Sequence, residues 1–203
     1  MTAPATADGV SDHPPDLTCV KIRRRRWSKT DATQQRILDA AAAVFREHGF
    51  TAATIGDVVS ASGASIGSIY HHFGGKTELF LAIHERMRAC IGHQITGVPQ
   101  TTFHTQAHRY LEAVWTHREI AVILSADDVP PGYERIRRAG MQAWFRDWLS
   151  DLDIESTACR ALLTRVLSAV LAESAAEVMA CQDHQSAIVV MDAAVAHLDR
   201  LLS

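Results

Sequence analysis

The stretch TIGDVVSASGASIGSIYHHFGGK, residues 54–76, decides how the whole chain is read. Thr54 followed three residues later by Asp57 is a capping box with aspartate in the N3 place, and it opens a short helix through about Ser60. Ser62-Gly63 breaks that helix. Ser65 can cap a second short helix through about His72, and Gly74-Gly75 stops it before Lys76 opens a longer one. Two short helices about a glycine-containing turn have the layout of a helix-turn-helix.

Outward from this unit the chain stays helical. Before it, Ile37, Leu38, Ala41, Val44 and Phe45 form one stripe on a helix from about Thr30 or Asp31 to His48. Gly49 follows at the position where positive φ is cheapest for glycine. After it, Leu79, Phe80, Ile83 and Met87 stripe a helix from Lys76 to about Ile91. Further helical periods cover about 102–117, 118–126, 133–150, 155–181 and 184–202, with a loop at Asp127-Asp128-Val129-Pro130-Pro131-Gly132. Residues 155–181 are apolar around most of the helix, which requires burial on more than one side. No strand pattern or repeat competes, so the expected class is all-α. Three parts are expected: a disordered tail with a basic arm (1–29), a three-helix N-terminal unit (30–76) and a longer helical unit (77–203).

The net charge of −3 hides a division. Residues 21–94 carry eleven bases against six acids, and residues 95–203 carry nine against 14. A basic front and an acidic back place any polyanion at the front. No apolar run approaches the ~18 residues of a membrane span, and the N-terminus shows no export signal. The four cysteines form no CxxC pair, which fits a reducing cytoplasm. There is no GxSxG, P-loop, HExxH or dinucleotide fingerprint, so an enzyme is not expected, nor a cofactor. His104 and His108 sit one turn apart, as Cys181 and His184 nearly do. Neither pair brings a third ligand, so no metal site is expected.

A helix-turn-helix places the start of its second helix in the major groove of DNA, where each base pair presents a distinct edge. Small residues suit that position: Gly67 and Ser68 let backbone approach the bases, while Ser65 and Ser68 offer hydroxyls. Tyr70, His71 and His72 carry polar tips toward the groove wall. Lys76 lies at a helix N-terminus, which already favours a phosphate. Arg23, Arg24, Arg25 and Arg26 abut the first helix. They are either a solvated tail or an arm that neutralises phosphates or enters a minor groove, and the second reading is preferred.

From about Gln35 to Leu79 the chain resembles the TetR family of transcriptional regulators. The resemblance rests on the helix ending His48-Gly49-Phe50, then Thr54-Ile55, Gly63, Ile69-Tyr70-His71-His72-Phe73 and Lys76. It implies base contacts from Ser65, Ile66, Gly67 and Ser68, and phosphate contacts from Thr54, Tyr70, His72 and Lys76. Ile69 and Phe73 are then packing residues. Two positions depart from the pattern. Ile66 replaces a frequent polar residue, and either touches a thymine methyl or is a neutral surface residue. Gly56 stands where some relatives present an arginine to the bases.

The same resemblance implies a back half for dimerisation and ligand sensing. Ala158, Ala161, Ala169, Ala172 and Ala176 permit close helix approach. The expected dimer seam is Leu163, Val166 and Val170 with Ile188, Met191, Val195, Leu198 and Leu202. The expected pocket lining is Met87, Phe103, Tyr110, Trp115, Met141, Trp144, Phe145 and Trp148, although aromatic stripes at helical spacing are more often plain core. The implied function is a homodimeric repressor on a palindromic operator, released by a small apolar or amphipathic effector. The alternative is a constitutive DNA-binding dimer whose back half is a filled-core interaction module.

Overall fold

A computed structural model describes residues 29–96, 102–149 and 156–202; the run Arg23–Arg26 lies outside them. The described residues form nine α-helices and no strand. They are α1 (Lys29–Ala52), α2 (Ile55–Ser62), α3 (Ile66–Phe73), α4 (Lys76–Thr96), α5 (Phe103–Thr116), α6 (Arg118–Ser125), α7 (Tyr133–Leu149), α8 (Thr157–Ala180) and α9 (His184–Leu202). None is long and apolar enough to cross a membrane.

Local chemistry sets the boundaries. Gly49 leaves helical geometry at φ 74°, and the chain makes one more turn to Ala52 before α2. Thr54 and Asp57 cap α2 reciprocally, and Gly63 closes it in the left-handed region at φ 65°. The Ser65 hydroxyl accepts from the Ser68 amide at 3.1 Å to start α3. Helix α4 extends about a turn beyond the end expected near Ile91.

Helix α1 packs on α2, α4 and α6, while α5 lies against α4, α8 and α9. One apolar core runs through both parts. Phe45, Phe50 and Phe80 meet with centroids 5.5–5.8 Å apart, and Phe80 meets Tyr133 edge-on at 4.9 Å. Phe80 on α4 therefore joins the core of the front unit to α7. Three histidine–carboxylate pairs lace α5 to α9: His104 with Asp199 at 2.7 Å, His108 with Asp192 at 3.4 Å, and His184 with Glu112 at 3.0 Å. They are mostly exposed, so each contributes at most about 1 kcal/mol. They also give His104, His108 and His184 partners within the fold, and no group of three metal-ligating side chains occurs among the described residues.

Three residues of the expected dimer seam are corrected here. Met191, Val195 and Leu198 are fully buried in the chain's own core, so they cannot meet a second copy without unfolding α9. Leu163, Val170, Ile188 and Leu202 are half-buried, and Val166 is exposed. The apolar side chains that α8 and α9 leave outermost are instead Leu162, 64% exposed, and Val189, 63% exposed. Between these helices runs an open groove of about 560 Å³ whose floor includes Ala169, Val170, Val190 and Ala193.

Candidate nucleic-acid interface

Helices α2 and α3 are too short to be stable alone, so their placement depends on caps and on packing. Ile69 is fully buried and Phe73 half-buried, which pins the inner face of α3. Residues three and four apart share a helix face. Ile66 (56% exposed), Gly67, Tyr70 (52% exposed) and His71 accordingly form the outer face. Ser65, also exposed, stands at the tip, and Ser68 is half-buried beside it. A Cβ placed on Gly67 would meet nothing within 4 Å, so nothing among the described residues requires glycine there.

Thr54 is exposed at the start of α2. Its hydroxyl accepts from the Asp57 amide at 3.1 Å and donates to the Asp57 carboxylate at 2.7 Å. The Thr54 amide donates to the same carboxylate at 2.9 Å. These bonds, the hydroxyl's first, hold the Asp57 carboxyl below the usual carboxylate range. His72 differs from its neighbours. It is half-buried, its ring packs against His71 at 5.1 Å, and its Nδ1 lies 3.5 Å from the Gln34 amide nitrogen on α1. Gln34 gave no signal in the sequence, because nothing local links it to a residue 38 positions away.

Lys76 also turns inward. Its ammonium donates to the carbonyls of Phe50 at 2.8 Å, Thr51 at 3.1 Å and Ala53 at 2.9 Å, and lies 4.6 Å from the Phe50 ring centroid. A lysine ammonium has three donors, and all three are engaged. The side chain expected at a phosphate thus caps the C-terminal carbonyls of α1 in the free chain.

Five of the eight residues expected to line a pocket form an aromatic cluster. Phe103, Trp144, Phe145 and Trp148 pack on one another with centroids 4.2–6.2 Å apart, and Tyr110 stacks on Trp144 at 6.3 Å. Burial pushes the Tyr110 phenol up to about 12. Met87 is buried in the core and Met141 packs against that core. Trp115 stands apart, stacked on His184 at 5.8 Å and covered by Arg118 at 4.3 Å. Between α1, α4 and α6 lies a niche of about 30 Å³, enough for a water or so, and none of the eight lines it.

Residues 37–83 match the family described as bacterial regulatory proteins, tetR family. The HTH-type transcriptional repressor AcnR of Corynebacterium efficiens is 47% identical over 51 residues, which is 25% of this chain and 27% of that protein. The match spans about a quarter to a third of the length of the first curated relatives, and 46% of another. Among solved structures, a transcriptional regulator of the TerR/AcrR family from Aquifex aeolicus superposes with a TM-score of 0.64 at 19% identity. That match covers 83% of this chain and 99% of the other. NalD, the secondary repressor of the MexAB-OprM multidrug efflux pump in Pseudomonas aeruginosa, superposes with a TM-score of 0.66 at 15% identity, over 84% and 96%.

Proposed function

We propose, from the match of residues 37–83 to the tetR family of bacterial regulatory proteins, a homodimeric DNA-binding transcriptional repressor. The observation that carries this reading is the outer face of α3. Ile66, Gly67, Tyr70 and His71 stand exposed beside Ser65, while fully buried Ile69 holds the helix from behind. A helix so presented can enter a major groove with its N-terminal end foremost. Ser65 and Ser68 meet base edges there, and Ile66 suits a thymine methyl. Thr54, Tyr70 and the arginines of the basic arm suit phosphates. One short helix reads few bases, so two copies across a palindrome are required. The outward face of α8 and α9, along the groove that Val170, Val189 and Ala193 line and with Leu162 exposed further along α8, is the surface we assign to that pairing.

A footprint on the DNA upstream of the protein's own gene tests the reading. A protected palindrome is expected, with affinity falling steeply as salt rises. Uniform weak binding to every duplex sinks the regulator reading.

Effector release is the finer proposal, and one observation favours it. The Tyr133 hydroxyl is buried and has no hydrogen-bond partner among the described residues, with His84 and Phe80 edge-on to its ring. An orphaned buried hydroxyl costs about 1–3 kcal/mol, which a ligand bearing an acceptor group would recover. The closed aromatic cluster of α5 and α7 favours the other reading, a constitutive dimer with a filled core. A thermal-shift screen with planar aromatic carbonyl compounds separates them. A ligand that raises Tm and weakens DNA binding supports the sensor; no shift across the screen supports the constitutive dimer.

A further inference from the structure

The corner leading from α1 into α2 is fastened from two sides. Regular helical geometry ends at Gly49, which leaves unpaired backbone groups that need partners. Lys76 takes three carbonyls there, as described above. The donors are taken by a residue 77 positions further along the chain. Asp128, in the loop between α6 and α7, accepts from the Thr51 amide at 3.2 Å through Oδ1 and 3.0 Å through Oδ2. It also accepts from the Thr51 hydroxyl through Oδ1. A carboxylate that accepts both a backbone N–H and a hydroxyl forms charge-assisted bonds, stronger than neutral ones.

The corner is shaped to admit this side chain. Gly49 adopts φ 74°, and a Cβ built on it would collide with Asp128 Oδ2. Glycine is thus favoured there by backbone geometry, and any side chain at 49 would also push the carboxylate aside. The Thr51 hydroxyl and amide, in that order, hold the Asp128 carboxyl below its ordinary range, with Lys76 assisting. The joint continues about one turn back along α1, where Arg46 pairs with Glu119 on α6. Thr54, which caps α2, lies three residues beyond Thr51, so little chain separates this fastening from the start of the helix-turn-helix.

We propose that Asp128 is a positioning residue for DNA recognition: by holding Thr51 it fixes the angle of α2 and α3 against the back half. It touches no DNA itself. The inference rests on the DNA-binding reading above and adds a connection that does not pass through α4. The loop joining α6 to α7 would carry any shift of those helices to the recognition unit.

The test uses the full chain and Asp128→Ala, with Asp128→Asn and Thr51→Val alongside. Each is measured on the duplex that the unsubstituted chain selects from a randomised pool, and on a scrambled duplex of equal composition. Amide hydrogen exchange is followed in the free protein. Asp128→Ala is expected to bind the selected duplex about tenfold more weakly, at an unchanged scrambled-duplex affinity and salt slope. Exchange of the Thr51 amide and of the α2 and α3 amides is expected to quicken, with α8 and α9 unaffected. Asp128→Asn keeps an acceptor and Thr51→Val keeps the amide, so both fall between. Unchanged exchange in α2 and α3, or equal losses on both duplexes, overturns the proposal. If the unsubstituted chain prefers no duplex, the regulator reading fails and the recognition role with it, and the Thr51 exchange rate still reports whether the fastening exists.

Discussion

His84 on α4 is 7% exposed, with its ring edge-on to Tyr133 at 5.2 Å. Burial pushes its pKa below the ordinary 6.5; Glu85 opposes the shift while Arg88 and Arg137 add to it. The folded chain therefore refuses a proton that the unfolded chain accepts. Stability is untouched well above pH 6.5 and falls as the pH drops through and below it. His117 is shifted in the same sense, chiefly by burial. His84→Phe keeps an aromatic ring against Tyr133 and removes one of the two groups. Urea midpoints at about pH 7.5 and 5.5 are expected to lie closer together in this variant than in the parent. An equal acid loss in both proteins rules His84 out as a source. Lys76 makes a second residue-scale case. Hydrogen bonds from a charged donor contribute about 1.5–3 kcal/mol net. Lys76→Met, which strands three carbonyls at the end of α1, is expected to cost about 2–3 kcal/mol of unfolding free energy, with the salt slope of DNA binding unchanged. The opposite pattern, full stability with a slope reduced by about one, would mean that the ammonium leaves its carbonyls for a phosphate.

At the scale of the element, boundaries were legible wherever they are made by neighbours in sequence. Thr54 with Asp57, Gly63, Ser65 and Gly74 each act over three or four residues, so α2 and α3 could be read almost to their ends. Directions were less legible. The three- and four-residue steps of α9 identify a helix, but not whether its apolar stripe meets the same chain or another. Met191, Val195 and Leu198 turn inward because α5 and α8 both pack on α9. Likewise α5 and α7 bring five aromatic rings together while leaving Trp115 beside His184, an outcome of how helices cross rather than of spacing. The inward turn of Lys76 and the Gln34–His72 contact depend on tertiary placement and have no local signature. Gly67 makes the element-scale prediction. It is helical and exposed, and no atom approaches where its Cβ would lie. Gly67→Ala should therefore stabilise the free chain by about 0.5–1 kcal/mol through helix propensity. The same methyl would stand between α3 and the base edges, so affinity for the selected duplex should fall. A variant that is more stable and equally tight on DNA would remove Gly67 from the contact surface.

For the whole molecule, the question is which surface pairs two copies, since half-sites about 34–36 Å apart need a rigid dimer to span them. Exposed apolar patches on soluble chains commonly mark interaction sites. Leu162 and Val189 are the two most exposed large apolar side chains among the described residues, and they lie on the adjacent helices α8 and α9. Met191, two residues from Val189, is fully buried in the core. The two α9 positions thus separate association from folding. Leu162→Asp with Val189→Asp removes apolar surface only where the chain already faces outward. It should leave the helical content and the monomer's unfolding intact while halving the mass in light scattering. Operator affinity should collapse toward that of a random duplex, because one recognition helix remains per particle. Met191→Ala should do the reverse, costing about 2–5 kcal/mol of folding stability by opening a cavity, with association lost only as the fold is lost. A doubly substituted chain that still scatters as a dimer would move the interface off α8 and α9. A melted one would mean that these two side chains hold the core in a way their exposure does not reveal.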